Sequence, residues 1–154
     1  YCFDEIKKII ESFLKIKVLV IGETIIDEYI FCEALGKSGK EPVLVFKNIF
    51  KERYLGGILA IARNLSSFCK EVEILSMVGD QDQEKKYIIK KLEKNIKFTF
   101  FEKKNSPTIL KRRYIDNIDL RKVFGDYSLN DSIITKKEEN KILNEIKKNK
   151  INMI

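Results

Sequence analysis

Two carboxylates, those of Glu23 and Asp27, come directly after a short apolar run near the start of the chain. The run, residues 18–21, predicts a buried strand that ends at Gly22. Ligands of open α/β sheets bind beyond the carboxyl ends of the strands, so both side chains are expected at a ligand site. A carboxylate can accept charge-assisted hydrogen bonds from two vicinal hydroxyl groups of a ligand. The alternative is that Asp27 caps a turn and Glu23 is a solvated loop residue.

Gly56 and Gly57 are the only adjacent glycines, and they precede an apolar segment with helical spacing. The pattern predicts that the pair opens a helix over residues 57–68. Glycines let a ligand approach the backbone, and the first N–H groups of a helix have no partner within the helix. The pair therefore indicates a ligand site, and the alternative is close packing of the helix on the sheet.

The segment PTILKRRY, residues 107–114, combines strand-forming residues with three cations. Strand alternation places Lys111 and Arg113 on one face and Arg112 on the other. Two cations on one face suit an anionic ligand. The alternative is a solvated strand whose charges protect a sheet edge.

Two nucleotide-binding motifs are excluded by their spacing. Gly36-Lys37-Ser38 resembles the end of a P-loop, but Phe31 stands where that motif needs its first glycine. Gly22 lacks the second and third glycines of a dinucleotide fingerprint.

The composition of the chain argues against several classes of protein and of binding site. The chain has 154 residues, 44% of them hydrophobic and 34% charged, which is typical of one globular domain. Its net charge of +7 comes from lysines spread over predicted helix faces, so no nucleic-acid partner is expected. Three scattered cysteines and no histidine argue against a disulfide framework or a zinc site. Without a long apolar run or a leader pattern, we expect a cytoplasmic location and no membrane partner.

Apolar periodicity predicts an alternation of strands and helices after a first amphipathic helix at residues 3–15. This order is typical of an α/β fold with a parallel sheet and right-handed crossovers. Pro42 favours an edge position for one further strand, and residues 108–124 predict a hairpin. The predicted strands are 18–21, 43–46, 72–77, 96–101, 108–115 and 120–124, with a further strand starting at 151–154, and the later helices are 57–68, 83–94 and 135–149.

Three motifs, KVLVIGETIIDEY at residues 17–29, YLGG at 54–57 and the segment at 107–114, resemble the amino-terminal half of ribokinase-like carbohydrate kinases. The resemblance is greatest to the heptose-phosphate kinase branch, including kinases fused to a nucleotidyltransferase. It implies a Rossmann-like parallel sheet with flanking helices, an incomplete ribokinase fold, plus a small antiparallel β lid at about 29–47 and 107–127. It also implies that the sugar site is formed by Asp27, Gly56, Gly57, Glu23, Lys111 and Arg113.

The same resemblance implies an ATP-dependent sugar or sugar-phosphate kinase that uses Mg²⁺. The family's catalytic base lies in a Gly-Ala-Gly-Asp turn that this sequence lacks, so the base is expected beyond Ile154 and the chain alone is expected to be inactive. Residues 1–16 are expected to be a linker helix from an upstream segment, and residues 17–154 the amino-terminal part of the kinase domain. Family members often pair through the lid, which predicts a homodimer. The alternative function is a non-catalytic sugar-binding or assembly domain of a fused enzyme of nucleotide-sugar biosynthesis.

Overall fold

The computed structural model describes residues 2–81, 84–129 and 131–148. Helices and strands alternate along most of this part of the chain, as the sequence pattern predicts. The elements are α1 (Phe3–Phe13), β1 (Lys17–Lys37), β2 (Leu44–Gly57), α2 (Ile58–Ser66), β3 (Glu71–Gly79), α3 (Glu84–Lys91), β4 (Ile96–Lys103), β5 (Ile109–Asp116), β6 (Lys122–Ser128) and α4 (Lys136–Lys148).

A parallel sheet in the order β4-β3-β1 forms the base of the molecule. Residues 17–23 of β1 pair in register with β3, and β3 pairs along its whole length with β4. Helix α2 packs on this sheet, and its apolar face enters the core with side chains of β1 and β3. The predicted α/β class with a parallel sheet and flanking helices is confirmed.

Strand β1 does not end at Gly22, contrary to the sequence prediction. It continues without a break to Lys37, because its second part acquires new partners on both sides. At the junction Thr24 is buried, and its hydroxyl is hydrogen-bonded to Ser76 of β3 at 2.7 Å. Glu23 and Asp27 therefore lie within the strand and not in a loop beyond it. A glycine does not end a strand whose backbone remains paired.

The second part of β1 belongs to a lid sheet in the order β2-β1-β5-β6. β2 and β6 run antiparallel to their neighbours, as predicted for the lid, but β1 and β5 are parallel, so the lid is a mixed sheet. β2 is much longer than the predicted strand 43–46, since the mostly exposed residues 47–53 are held by backbone pairing with β1. We call the side with Asp27 the front face of the lid, and the opposite side the rear face.

Helix α4 starts with the predicted capping box. The Thr135 N–H donates to Glu138 Oε2 at 2.7 Å, and the Glu138 N–H donates to Thr135 Oγ1 at 3.3 Å. The predicted helix start at Gln83, the helix end at Asn149 and the strand at 151–154 lie outside the described residues. No helix in the described part of the chain has the length and apolar content to cross a membrane.

The core lies between α2, α3, the parallel sheet and the near part of the lid's rear face. It joins the two sheets, since Ile26 of β1 and Leu55 of β2 pack with residues of β3 and α2. Helix α1 contributes nothing to it, and its apolar side chains are exposed. The buried core residues are Ile26, Leu55, Ile58, Leu59, Ala62, Cys69, Val72, Ile74, Val78, Ile88 and Ile96.

Gly79 at the end of β3 offers a test of how tightly the base is joined to the lid. A Cβ there would overlap the backbone of residues 106–108, which leads into β5, and the Gly79 N–H donates to Thr108 Oγ1 at 3.0 Å. We expect Gly79→Ala to lower the free energy of unfolding by about 2 to 3 kcal/mol, because backbone cannot move aside cheaply. Gly39→Ala is the control, since its Cβ would meet open space. Equal melting temperatures for the two variants would contradict the close contact.

Candidate functional site

The front face of the lid gathers several of the predicted site residues. Asp27 lies directly opposite Tyr54 of β2 and Lys111 of β5. Side chains at opposed positions point to the same face of a sheet, so these three share the front face. Arg113, two residues further along β5, reaches the same face and donates a short hydrogen bond to Asp27 Oδ1. The prediction that the side chains of Lys111 and Arg113 share one face is confirmed.

Asp27 and Arg113 form a half-buried ion pair. Their side chains are 21% and 20% exposed. The hydrogen bond to Asp27 raises the pKa of Arg113 above its usual value, so the guanidinium stays charged. Its central carbon lies 5.5 Å from the ring centroid of Tyr29, within range of a cation–π contact. The pair leaves Asp27 Oδ2 for other partners.

The two glycines are required by close contacts at this place. A Cβ on Gly56 would overlap Asp27 Oδ2, so the carboxylate rests directly on the backbone of β2. Gly57 has φ +53°, and a Cβ on it would lie 2.7 Å from the carbonyl oxygen of Glu23. As predicted, Gly57 immediately precedes a helix, α2. The structure thus brings Asp27, Gly56, Gly57 and the Glu23 backbone together.

A cavity of about 480 Å³ opens beside this group, at the carboxyl ends of the base strands. Glu23 and Lys111 line it, whereas Asp27, Gly56, Gly57 and Arg113 do not. Lys111 connects the front face around Asp27 with the cavity, because it lies opposite Asp27 in the lid and also borders the cavity. The candidate site is therefore the front face around Asp27 together with this cavity.

Sequence reasoning missed the tyrosines of the front face. Tyr54 is half exposed beside Asp27, and its hydroxyl donates to Glu52 at 2.6 Å, a hydrogen bond that raises the pKa of Tyr54. Tyr127 lies opposite Lys111, whose ammonium is 5.8 Å from the tyrosine ring centroid. Period-two alternation around Asp27 would have indicated Tyr29, but Tyr54 and Tyr127 required knowledge of the strand pairing.

Among the described residues there is no group of three or more His, Cys, Asp or Glu side chains that could hold a metal ion. The chemistry that this site offers is the binding of hydroxyl groups by carboxylate and of an anion by Lys111 and Arg113.

No family model matches the chain. Its relatives include the bifunctional protein HldE of Campylobacter jejuni subsp. doylei, which is 35% identical over 99 residues, or 64% of this chain and 20% of the relative. The D-beta-D-heptose 7-phosphate kinase of Bordetella bronchiseptica is 28% identical over 105 residues, or 68% of this chain and 34% of the relative. The chain thus spans about a fifth of the length of the HldE protein.

Solved structures of sugar kinases share the fold. Phosphofructokinase-2 from Escherichia coli, in complex with fructose-6-phosphate, matches with a TM-score of 0.55 at 13% identity, over 88% of this chain and 42% of that one. Ribokinase from Cryptococcus neoformans, in complex with ADP, matches with a TM-score of 0.54 at 17% identity, over 75% and 34%. The chain is therefore a homologue of part of the HldE proteins and of a heptose 7-phosphate kinase, and its fold is that of ribokinase-family carbohydrate kinases.

Proposed function

We propose that this chain is the sugar-binding part of an ATP-dependent kinase that acts on a sugar phosphate of the heptose phosphate class. The observation that carries the proposal is the placement of the Asp27 carboxylate directly on Gly56, with Lys111 and Arg113 on the same face. The name of one relative, D-beta-D-heptose 7-phosphate kinase, supplies the substrate class.

Asp27 is the proposed acceptor for sugar hydroxyls. A carboxylate offers about four lone-pair sites, and Arg113 uses one oxygen. The remaining oxygen lies against the backbone at Gly56 and is the proposed acceptor for a sugar hydroxyl. Glu23 is the proposed second acceptor, reached through the cavity that it lines.

The phosphate of the substrate is assigned to Lys111 and Arg113. Lys111 borders the cavity and lies opposite Asp27, so an anion held there is close to hydroxyls held by Asp27. Arg113 can share its guanidinium between Asp27 and a phosphate, since it carries five N–H donors. This arrangement favours a phosphorylated sugar over a neutral one.

Phosphoryl transfer itself is not assigned to residues of this chain. The sequence contains no Gly-x-Gly-Asp turn, and no group of three or more His, Cys, Asp or Glu side chains among the described residues could hold a metal ion. ATP and Mg²⁺ belong to the proposed activity of the whole polypeptide, in which Mg²⁺ would neutralise the phosphates of ATP. The role of this chain is to bind and orient the acceptor sugar, and a cytoplasmic location, where ATP is present, accompanies the proposal.

A non-catalytic sugar-binding or assembly domain is the second candidate. One observation favours it: Arg113 already occupies one oxygen of Asp27. A Gly-x-Gly-Asp turn elsewhere in the polypeptide that carries this chain would favour the kinase, whereas its absence would favour the binding domain.

The role of Asp27 is tested by Asp27→Asn, which keeps the shape and removes the charge. Each charge-assisted hydrogen bond contributes about 1.5 to 3 kcal/mol, so losing two should weaken binding of heptose 7-phosphate by over a hundredfold. The measurement is calorimetric titration of the polypeptide that carries this chain, beside a thermal melt. Asp119→Asn, in the exposed β5–β6 turn, is the control. Unchanged affinity in a folded Asp27→Asn variant would remove Asp27 from the site.

The phosphate assignment is tested by Lys111→Gln. Loss of one charge-assisted contact should weaken binding of heptose 7-phosphate about tenfold or more and leave the affinity for unphosphorylated heptose nearly unchanged. Lys122→Gln, on the exposed edge of β6, is the matched control and should change neither affinity. An equal loss for the two sugars would show that Lys111 does not recognise the phosphate.

We propose a second copy of the chain as the partner of the lid. Apolar residues on both faces of the lid are exposed, among them Leu44, Phe50 and Phe124, and exposed apolar patches mark interaction sites. Phe50→Glu is expected to convert a dimer of the whole polypeptide to a monomer in sedimentation velocity. Phe68→Glu, an exposed aromatic outside the lid, should leave the dimer intact. A wild-type monomer at all concentrations would contradict the proposal.

A further inference from the structure

A buried carboxylate on the rear face of the lid joins neighbouring strands. Glu28 of β1 is 5% exposed. Arg112 of β5 donates to it at 2.7 Å through Nε, and from β2 Arg53 Nε lies at 3.3 Å and Lys51 Nζ at 3.7 Å. The carboxylate is thus held from both sides of its own strand.

The charges continue outward across the sheet. Arg112 also donates to Asp126 of β6 at 3.1 Å, and Arg53 donates to Glu84 of α3 at 2.6 Å. Glu28 lies opposite both Arg53 and Arg112, and Arg112 lies opposite Asp126. One row of alternating charges therefore crosses all four strands of the lid and ends on a helix of the base.

A row of this kind fixes alignment more than it adds stability. Taking a carboxylate and its cations out of water is costly, and the cost is recovered only when every partner is in place. A shift of either neighbouring strand would separate Glu28 from its cations. The hydrogen bond to Glu28 raises the pKa of Arg112, which agrees with a strong contact in the aligned state.

The backbone ladder beside this row of charges is irregular. The ladder between β1 and β2 shifts between Phe31 and Cys32, and again between Ala34 and Gly36. A slip by one residue would turn Asp27 from the front face to the rear. Glu28 is the next residue after Asp27, and its side chain points to the opposite face of the lid. A register that keeps Glu28 on the rear face therefore keeps Asp27 on the front face.

We propose that Glu28 is a positioning residue, which holds β2 and β5 in register with β1 so that Gly56 and Lys111 stand beside Asp27. The inference rests on the proposed function only for the identity of the ligand. Glu28 acts from the rear face and does not touch the sugar.

Hydrogen exchange of the whole polypeptide without ligand tests this directly. Glu28→Gln should speed amide exchange at least tenfold in β2 and β5 and leave β3 and β4 unchanged. Arg112→Gln is the milder variant, for use if Glu28→Gln does not fold, and should act on β5 and spare β2. Glu71→Gln is the matched control, because Glu71 bridges Lys17 and Lys97 across the base sheet. Glu71→Gln should leave the amide exchange rates of the lid unchanged.

Titration with heptose 7-phosphate gives the second readout, at a temperature where every variant is folded. Glu28→Gln should weaken binding at least tenfold, and Glu28→Asp, which keeps the charge, should recover part of the loss. Equal exchange rates in the lids of wild type and Glu28→Gln, or faster exchange spread evenly over both sheets, would overturn the proposal. If the wild type does not bind the sugar phosphate, the proposed function fails, while the exchange data still decide the role of Glu28.

Discussion

Strand β1 runs without a break from the base into the lid, and both sheets are paired to it. Over 21 residues this strand pairs first with β3 in the base and then with β2 and β5 in the lid. Because side chains alternate along a strand, the lid part has two independent rows, one with Asp27 on the front face and one with Glu28 on the rear. A single backbone thus carries both the candidate ligand residue and the contacts that align it.

Close backbone contacts at glycines determine where Asp27 and the start of α2 lie. Gly56 must lack a side chain because Asp27 lies on it, and Gly57 must adopt φ +53° for the chain to turn into α2. Substitution at either position would move the carboxylate or the helix start. Gly79 likewise lacks a side chain where it contacts the segment leading into β5. A glycine therefore lies at this contact between the base and the lid.

The ion pairs on the two faces of the lid differ in burial. On the front face Arg113 neutralises Asp27 while both remain about a fifth exposed, which leaves the pair able to exchange partners with a polar ligand. On the rear face Glu28 is surrounded and almost fully buried. Exposed ion pairs contribute little to stability and rearrange easily, whereas buried ones penalise misalignment. The front pair is therefore suited to binding and the rear cluster to alignment.

Local sequence patterns predict the α/β class, the order of most elements, the capping box at Thr135 and the shared face of Lys111 and Arg113. These depend on local periodicity, which is a property of neighbouring residues. Strand pairing in the folded chain is needed to show that β1 runs through Gly22, that the exposed residues 47–53 form a strand, and that Tyr54 and Arg53 lie opposite Asp27 and Glu28. Those outcomes depend on pairing between residues distant along the chain, such as Glu28 with Arg112, and no local pattern encodes which strand becomes the neighbour of which.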